Sequence, residues 1–243
     1  INQFLDEYTE AVYGAISNGY LTEEEIDEVL RGNYRVMIKL GMLDSAEHNP
    51  YAEIGRGKDT LDPWDSDAHK ELALEATRKS VVLLKNDQEK KLLPLQLDKI
   101  NSIAVIGPRA DEVLLDWYSG TPPYRITPLQ AIKAKVGDAV EIFYAENNAD
   151  GKAARIAANA DVAIVLVGNH PTCDAGWADC PVPSDGKESV DRQSLSLGYE
   201  DLIKVVYQAN ENTVIGLINN FPYAINWTQE NVPAIVHMAQ NSQ

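Results

Sequence analysis

From residue 102 onward, short apolar runs rich in β-branched residues alternate with stretches whose apolar residues recur at helical spacing. The runs predict strands at 102–107, 139–145, 162–167, 213–219 and 234–238, and the stretches between them predict helices at 127–136, 151–160 and 197–209. Strands that alternate with helices are typical of a parallel sheet with helices on both faces. The pattern therefore predicts an α/β fold with a mainly parallel sheet flanked by helices.

The first 44 residues have a different pattern, which predicts two helices. Thr22 and Glu25 form a capping-box signature that marks the start of the second helix, and Gly41 supplies its left-handed stop. Two helices cannot bury their apolar faces alone, so we expect them to dock on structure that this chain does not contain. Prolines and glycines among charged residues then predict a linker, followed by a third helix at 66–80.

The connection that follows the predicted strand at 162–167 is the most informative stretch of the sequence. It runs from 168 to 192, about 25 residues, whereas structureless loops beyond about 12–15 residues are uncommon unless they are functional or disordered. Trp177, two cysteines and three prolines make disorder the weaker interpretation. The loop also leaves the carboxyl end of a strand, where open α/β sheets place their chemistry. We therefore expect the active group in this loop.

Cys173 and Cys180 lie in the same loop with six residues between them. They could be two unrelated thiols, or a disulfide that closes a small ring and suggests an oxidising compartment. Zinc binding is disfavoured because no second pair of ligands accompanies them, and His170 alone is not enough. His170 and His237 are both expected to be structural.

A second long connection, at 115–124, is expected at the same end of the sheet and carries Trp117, Tyr118 and Tyr124. Flat rings with a polar group suit stacking on sugars, and packing against a neighbouring domain is the equal alternative.

Charge and glycine patterns exclude several other functions. The formal net charge of −16 argues against nucleic acid and against an anionic membrane surface, since neither attracts an acidic protein. No apolar run approaches the roughly 20 residues of a membrane span. The turn after the strand at 102–107 has one glycine and a proline, so it does not match the dinucleotide fingerprint, and no P-loop lysine motif is present.

General chemistry alone cannot choose among the carboxyls of the long loop, because a general acid needs only a carboxyl near apolar surface. A resemblance to a known family does single out one of them. Six segments occur in order that together resemble the family-3 glycoside hydrolases, the retaining β-glucosidases and β-xylosidases: SVVLLKN at 80–86, LLPL at 92–95, IAVIGP at 103–108, YSGTP at 118–122, ESVDR at 188–192 and NTV at 212–214.

The resemblance implies a (β/α)8 barrel followed by an α/β sandwich, with the active site between them. Residues 1–44 then correspond to the closing helices of a barrel that is otherwise absent, residues 45–80 to the interdomain linker and helix, and residues 81–243 to a sandwich domain without its last elements. The family's nucleophile is an aspartate in a Ser-Asp-Trp context on the barrel. This chain has no such motif, so we expect the nucleophile in the missing barrel.

The resemblance also implies which residues act. Glu188, in Glu-x-x-Asp-Arg, matches the family's general acid/base. Asp191 and Arg192 then correspond to residues that organise the loop. Candidates for the leaving-group subsite are Trp177, Trp117 and Tyr118.

The expected function is therefore part of a retaining exo-β-glycosidase that hydrolyses terminal non-reducing β-linked sugars, β-glucosidase first and β-xylosidase next. The alternative is a non-catalytic α/β domain that binds carbohydrate or braces the barrel. No metal or organic cofactor is implied, because carboxyl chemistry suffices. The expected partners are a small oligosaccharide or glycoside and the barrel of the same enzyme, and a homodimer is left open. The family and the cysteine pair suggest a secreted or periplasmic protein, and the fragment alone is expected to be inactive.

Overall fold

A computed structural model of the chain describes residues 8–56, 63–115, 120–169 and 193–239. The chain divides into two compact units, one that ends at Pro63 and one that begins at Trp64. Each unit is described by itself. The division at residues 44 and 80 that the sequence suggests stays a prediction.

The first unit contains two helices, α1 (Thr9–Ser17) and α2 (Glu23–Lys39). The capping box before α2 is confirmed, because Thr22 Oγ1 accepts the backbone N–H of Glu25 at 3.3 Å and Glu25 Oε2 accepts that of Thr22 at 2.8 Å. The Thr22 backbone N–H and hydroxyl both donate to Glu25 Oε2, and these two bonds hold the pKa of Glu25 below its usual value. Gly41 follows with φ +67°, the left-handed conformation expected of the helix stop.

The two helices of the first unit contain no buried residue. Apolar side chains of α2 such as Val36 and Ile38 are more than half exposed. Packing within this unit therefore does not supply the burial from which most helical stability in proteins comes.

The second unit is the α/β domain. Its elements, in chain order, are α3 (Asp67–Ser80), β1 (Val82–Asn86), β2 (Ser102–Ile106), α4 (Pro128–Val136), β3 (Glu141–Ala145), α5 (Lys152–Ala158), β4 (Val162–Gly168), α6 (Glu200–Ala209), β5 (Thr213–Ile218), α7 (Asn226–Asn231) and β6 (Ala234–Met238).

The six strands form one sheet in the order β1-β6-β5-β4-β2-β3. Every neighbouring pair is parallel except β1 with β6, which is antiparallel. The mainly parallel sheet expected from the alternating pattern is confirmed. The antiparallel first strand is a feature that this pattern did not predict.

Each face of the sheet has its own apolar core. On one face, buried residues of β4 and β5 pack with α5 and α6, represented by Val165, Ala157 and Ile203. On the other face, Val105 and its neighbours pack with Leu129 of α4. Both cores form because a parallel strand between two helical layers presents apolar side chains alternately to each. The prediction of helices on both faces is confirmed.

The two main differences from the sequence prediction have local causes. The helix predicted from 197 begins at Glu200, because Leu197 is buried in the core before the helix starts. The short helix α7 was missed, because Trp227 is its only large apolar residue and one such residue makes no period.

Candidate functional site

The carboxyl ends of the parallel strands lie at one end of the sheet, which we call the carboxyl end; the opposite end is the amino end. From β2 the chain passes through α4 to β3, whereas from β4 it passes through α6 to β5. β3 and β5 lie on opposite sides of the β2–β4 pair, and α4 and α6 lie on opposite faces. The strand order therefore reverses between β2 and β4, and ligands of open α/β sheets bind at such a switch point.

Both long connections that the sequence singles out begin at this switch point. One leaves β2 after Ile106 and the other leaves β4 after Gly168. β2 and β4 are paired, with Ile106 opposite Val165, so the two connections leave neighbouring strands at the same end of the sheet, and β4 continues for three residues beyond that pair. The two connections start at the same end of the sheet, as expected. We call the residues where a connection leaves or rejoins the described domain its roots.

Two glycines let the backbone pass closely at these roots. Gly107 has φ +117°, and a Cβ there would lie 2.2 Å from the carbonyl oxygen of Leu166. Gly168 has φ +148°, and its Cβ would lie 1.7 Å from the carbonyl oxygen of Ile218. Any larger residue would collide with the backbone of the next strand. Both glycines are therefore required by packing at the switch point.

Arg109 places a buried cation directly after β2, with 11% of its side chain exposed. Its Nη1 donates to Oε2 of Glu112 at 2.5 Å, and its backbone N–H donates to the carbonyl of Leu166 in β4 at 3.2 Å. Its Nε is buried and has no partner among the described residues. Buried polar atoms are normally paired, so this donor marks an unusual position.

Glu112, the partner of Arg109, is one of three carboxylates near Tyr144. Asp111 accepts a hydrogen bond from Thr127 Oγ1 at 2.7 Å at the start of α4. Burial raises the pKa of Tyr144 at the end of β3, and the charges of Glu146, Asp111 and Glu112 raise it further. The Tyr144 hydroxyl therefore keeps its proton to a higher pH than a tyrosine in water. With more carboxylates than cations, this corner suits a neutral ligand better than a phosphate.

Two buried asparagines follow the central strands. Asn169, directly after β4, is 1% exposed, and its Oδ1 accepts the backbone N–H of Asn220 at 3.3 Å. Asn219, directly after β5, is 5% exposed and donates through Nδ2 to the carbonyl of Phe221 at 2.6 Å. The Oδ1 of Asn219 is buried without a partner in the described part of the chain.

The site residues predicted from the sequence fall mostly outside the described residues. That holds for Glu188, Trp177, Trp117, Tyr118, Asp191, Arg192, Cys173, Cys180 and His170. Their predicted roles stay predictions. For the loop that contains Glu188, the structure describes the chain on either side, Asn169 directly after β4 and the segment from residue 193 onward.

Two of the other aromatic or histidine residues weighed in the sequence are described. Tyr124 lies beneath Lys70 of α3, whose Nζ is 5.8 Å from the ring centroid. Lys70 also donates to Asp65 at 3.0 Å, and that hydrogen bond raises the pKa of the lysine. His237 is half-buried in β6. Tyr124 thus contacts α3 of the same unit, whereas the alternative weighed from the sequence was packing against a neighbouring domain, which stays untested.

A cleft of about 830 Å³ lies at the amino end of the sheet. The segment 90–100 lines one side, and the turns before β4 and β5 line the other. An ion pair of 2.9 Å between Lys90 and Glu211 joins the two sides. The cleft is lined by charges of both signs, and it lies at the opposite end of the sheet from the starts of the two long connections.

Within the described ranges, no group of three or more His, Cys, Asp or Glu side chains is placed to hold a metal ion. In the same part of the chain, no helix is long and apolar enough to cross a bilayer.

Sequence reasoning missed Arg109, Asn169 and Asn219 as features of this site. A signal was present, since Arg109 and Asn169 each follow a predicted strand by two residues and Asn219 ends one, where α/β folds place functional groups. Their burial could not be inferred, because it depends on partners far away in the sequence.

Residues 81–243 match the glycosyl hydrolase family 3 C-terminal domain. The chain therefore belongs to glycoside hydrolase family 3, and the resemblance identified in the sequence is confirmed.

Curated relatives of this chain include a beta-xylosidase of Formosa agariphila, 36% identical over 190 residues that cover 70% of this chain and 24% of that protein. Another is the probable beta-D-xylosidase 7 of Arabidopsis thaliana, 32% identical over 94% of this chain and 28% of that protein. The chain thus spans about a quarter of the length of the curated relatives it matches.

Solved structures share the fold. A beta-glucosidase from Listeria innocua in complex with isofagomine matches 93% of this chain and 30% of its own, with a TM-score of 0.71 and 23% identity. A beta-glucosidase from Bifidobacterium adolescentis matches 98% of this chain and 32% of its own, with a TM-score of 0.68 and 24% identity.

Proposed function

We propose that this chain is part of a retaining exo-β-glycosidase, to which it supplies the general acid/base, Glu188. The observation that carries the proposal is the family match over residues 81–243, which includes Glu188 in its Glu-x-x-Asp-Arg setting. The fold supports it, because the connection that contains Glu188 starts at the switch point between β2 and β4. An open parallel sheet presents its chemistry at that place.

Retaining hydrolysis uses two carboxyl groups about 5–5.5 Å apart. In the first step, an aspartate of the barrel attacks the anomeric carbon while the Glu188 carboxyl protonates the departing glycosidic oxygen. In the second step, the Glu188 carboxylate takes a proton from water, and the water oxygen displaces the aspartate. The sugar is released with its anomeric configuration retained, and both carboxyls return to their starting states.

Other residues of the long connections have supporting roles in this proposal. Asp191 and Arg192 organise the loop, and Arg192 can make a bidentate contact with a carboxylate. Trp177, Trp117 and Tyr118 provide flat apolar faces for the leaving group. The excess of carboxylates around Arg109 fits a neutral glycoside.

The sugar is a glucosyl or a xylosyl unit. The sequence resemblance favours a glucoside, whereas the two relatives described above are named as xylosidases. Aryl β-xylosides and aryl β-glucosides are therefore both required as substrates, and their relative kcat/KM values assign the specificity.

The test is the substitution Glu188→Ala in the full-length protein, with Asp185→Ala as the matched control in the same loop. A general acid contributes roughly 10²–10⁴-fold. For Glu188→Ala we expect a loss of that size with poor leaving groups, a much smaller loss with activated aryl glycosides, and formation of a glycosyl azide when azide is added. The control should behave as the wild type.

If Glu188→Ala keeps wild-type rates on every substrate, the acid/base assignment is wrong. The domain would then be the alternative considered from the sequence, a non-catalytic module that binds carbohydrate or braces the barrel.

A further inference from the structure

The connection between β4 and α6 carries the proposed acid/base, and its two roots are described although its middle is not. At the first root, Gly168 pairs with Ile218 of β5, so closely that a Cβ on the glycine would lie 1.7 Å from the partner's carbonyl oxygen. The next residue, Asn169, is 1% exposed and accepts the backbone N–H of Asn220 at 3.3 Å. The departing chain is thus bound to the turn that follows β5.

The second root is bound to the same turn. The carbonyl of Leu195 accepts the backbone N–H of Ala224 at 2.8 Å, and Ser196 forms an isolated parallel bridge with Ala224. Leu197 then enters the core, where Tyr223 and Ile225 pack against the same cluster. The returning chain therefore meets residues only a few positions from Asn220.

The turn itself, residues 219–225, is held from several directions. The backbone N–H of Asn219 donates to Met238 of β6 at 3.3 Å, and its Nδ2 donates to Phe221. Beyond the turn, Thr228 of α7 is fully buried and donates through its hydroxyl to Glu200 of α6 at 3.1 Å. A turn fixed to the sheet and connected to two helices provides a firm base for a long loop.

We propose that Asn169 is a positioning residue for the acid/base step, since with the turn 219–225 it fixes both ends of the loop that carries Glu188. The inference rests on the proposed function. Catalysis needs the carboxyl within a narrow separation from the nucleophile. Bonds from both ends of the loop to one turn restrict where those ends can lie. A misplacement of 1 Å can cost about 100-fold in rate.

The experiment compares Asn169→Ala with Asn210→Ala in the full-length protein. Asn210 is matched because it is also an asparagine after an element of the same sheet domain, and its Nδ2 donates to the carbonyls of Ala157 and Ala160 at the amino end. For both variants, kcat/KM is measured on aryl glycosides with good and poor leaving groups, together with the pH profile and Tm.

For Asn169→Ala we expect about a 10- to 100-fold loss with poor leaving groups and a several-fold smaller loss with good ones. The basic limb of the pH profile should shift, because that limb reports the acid. Asn210→Ala should lower Tm and leave both the leaving-group ratio and the pH profile unchanged. Asn169→Asp, which keeps an acceptor oxygen for Asn220, should recover part of the lost ratio.

If Asn169→Ala changes both substrate classes equally, as a structural residue would, the proposal is overturned. Should that variant not fold, Ala224→Pro tests the other root, because it removes the N–H bonded to Leu195 at an exposed position; it must give the same leaving-group pattern. The Glu188→Ala result separates the two proposals. If Glu188→Ala keeps the wild-type rate, the proposed function is refuted. If Glu188→Ala loses rate mainly on poor leaving groups but Asn169→Ala loses none, only the positioning role is refuted.

Discussion

The two ends of the parallel sheet differ in how their polar groups are used. At the amino end, one Asp161 oxygen accepts the backbone N–H groups of Asn101 and Ser102 at 2.7 and 3.0 Å. Asn210 donates to two carbonyls, and Asn212 donates to the carbonyl of Asp161 at 3.2 Å. Short turns and paired groups make this end a stabilising structure.

At the carboxyl end, two buried polar atoms have no partner among the described residues, Nε of Arg109 and Oδ1 of Asn219. The roots of both long connections lie beside them. An unpaired buried polar group costs roughly 1–3 kcal/mol, a cost that persists in folds where the group serves another purpose. The two ends therefore differ in how completely their buried polar groups are paired among the described residues.

The largest loss of stability in the comparison of the two ends is expected at the carboxyl end, for the substitution Gly168→Ala. The new Cβ meets the backbone of β5, which cannot move without breaking the sheet, and φ of +148° is itself unfavourable for alanine. We expect the free energy of unfolding to fall by more than about 3 kcal/mol, measured by chemical denaturation.

Gly137→Ala is the matched control, because Gly137 also has positive φ, +59°, but nothing lies within 4 Å of its Cβ position. It should cost about 1–2 kcal/mol, the left-handed penalty alone. Equal losses for the two variants would show that the close strand contact at Gly168 does not matter.

A smaller effect is expected at the amino end, for Asn210→Ala. The side chain makes three hydrogen bonds, two to carbonyls before β4 and one from the backbone N–H of Asn212. At about 1 kcal/mol for each bond, the free energy of unfolding should fall by about 2–3 kcal/mol. Denaturation midpoints and slopes measure the change. A loss below about 0.5 kcal/mol would contradict the view that this end is the stabilising one.

The smallest effect is a dependence on pH through Asp161. Backbone hydrogen bonds from Asn101 and Ser102 hold the pKa of Asp161 below its ordinary value of 3.8 in the folded chain. Its contribution to stability is therefore complete above about pH 3.8 and is lost as the pH falls through the lower folded value.

Denaturation of the wild type and Asp161→Asn between pH 7 and pH 3 tests this. The stability difference between them should be largest at pH 7 and should shrink below pH 4. Asp138→Asn, at an exposed aspartate beyond α4, is the surface control and should change the free energy of unfolding only slightly at pH 7. If the difference in free energy of unfolding between the wild type and Asp161→Asn is the same from pH 7 to pH 3, the lowered pKa does not contribute to stability.

Much of the fold followed from local sequence. The apolar run of β4 predicted a strand buried on both faces, and six of its seven residues are buried. Thr22 and Glu25 predicted a helix start, because both partners of the capping box lie within one turn. The antiparallel β1 was not predicted, since an apolar run of five residues carries no information on the direction of its neighbour.

The candidate site was predictable only in outline. The length and position of the loop that contains Glu188 pointed to the carboxyl end of the sheet, and the family resemblance proposed the residue. The roles of Asn169 and Asn219 were hidden, because an asparagine after a strand is ordinarily a turn residue exposed to solvent. Only the pairing of β4 with β5 brings Asn169 to Asn220, 51 residues later in the chain.

The sequence by itself determined the class of fold and the family, because these depend on periodicity and on motifs whose parts are close together in the chain; the acid/base role of Glu188 stays a prediction. The tertiary structure decided where the strand order reverses, which glycines admit no side chain, and how both roots of the long loop come to share one turn. Those features depend on strands far apart in sequence that pack about 4.8 Å apart, a spacing that no local pattern encodes.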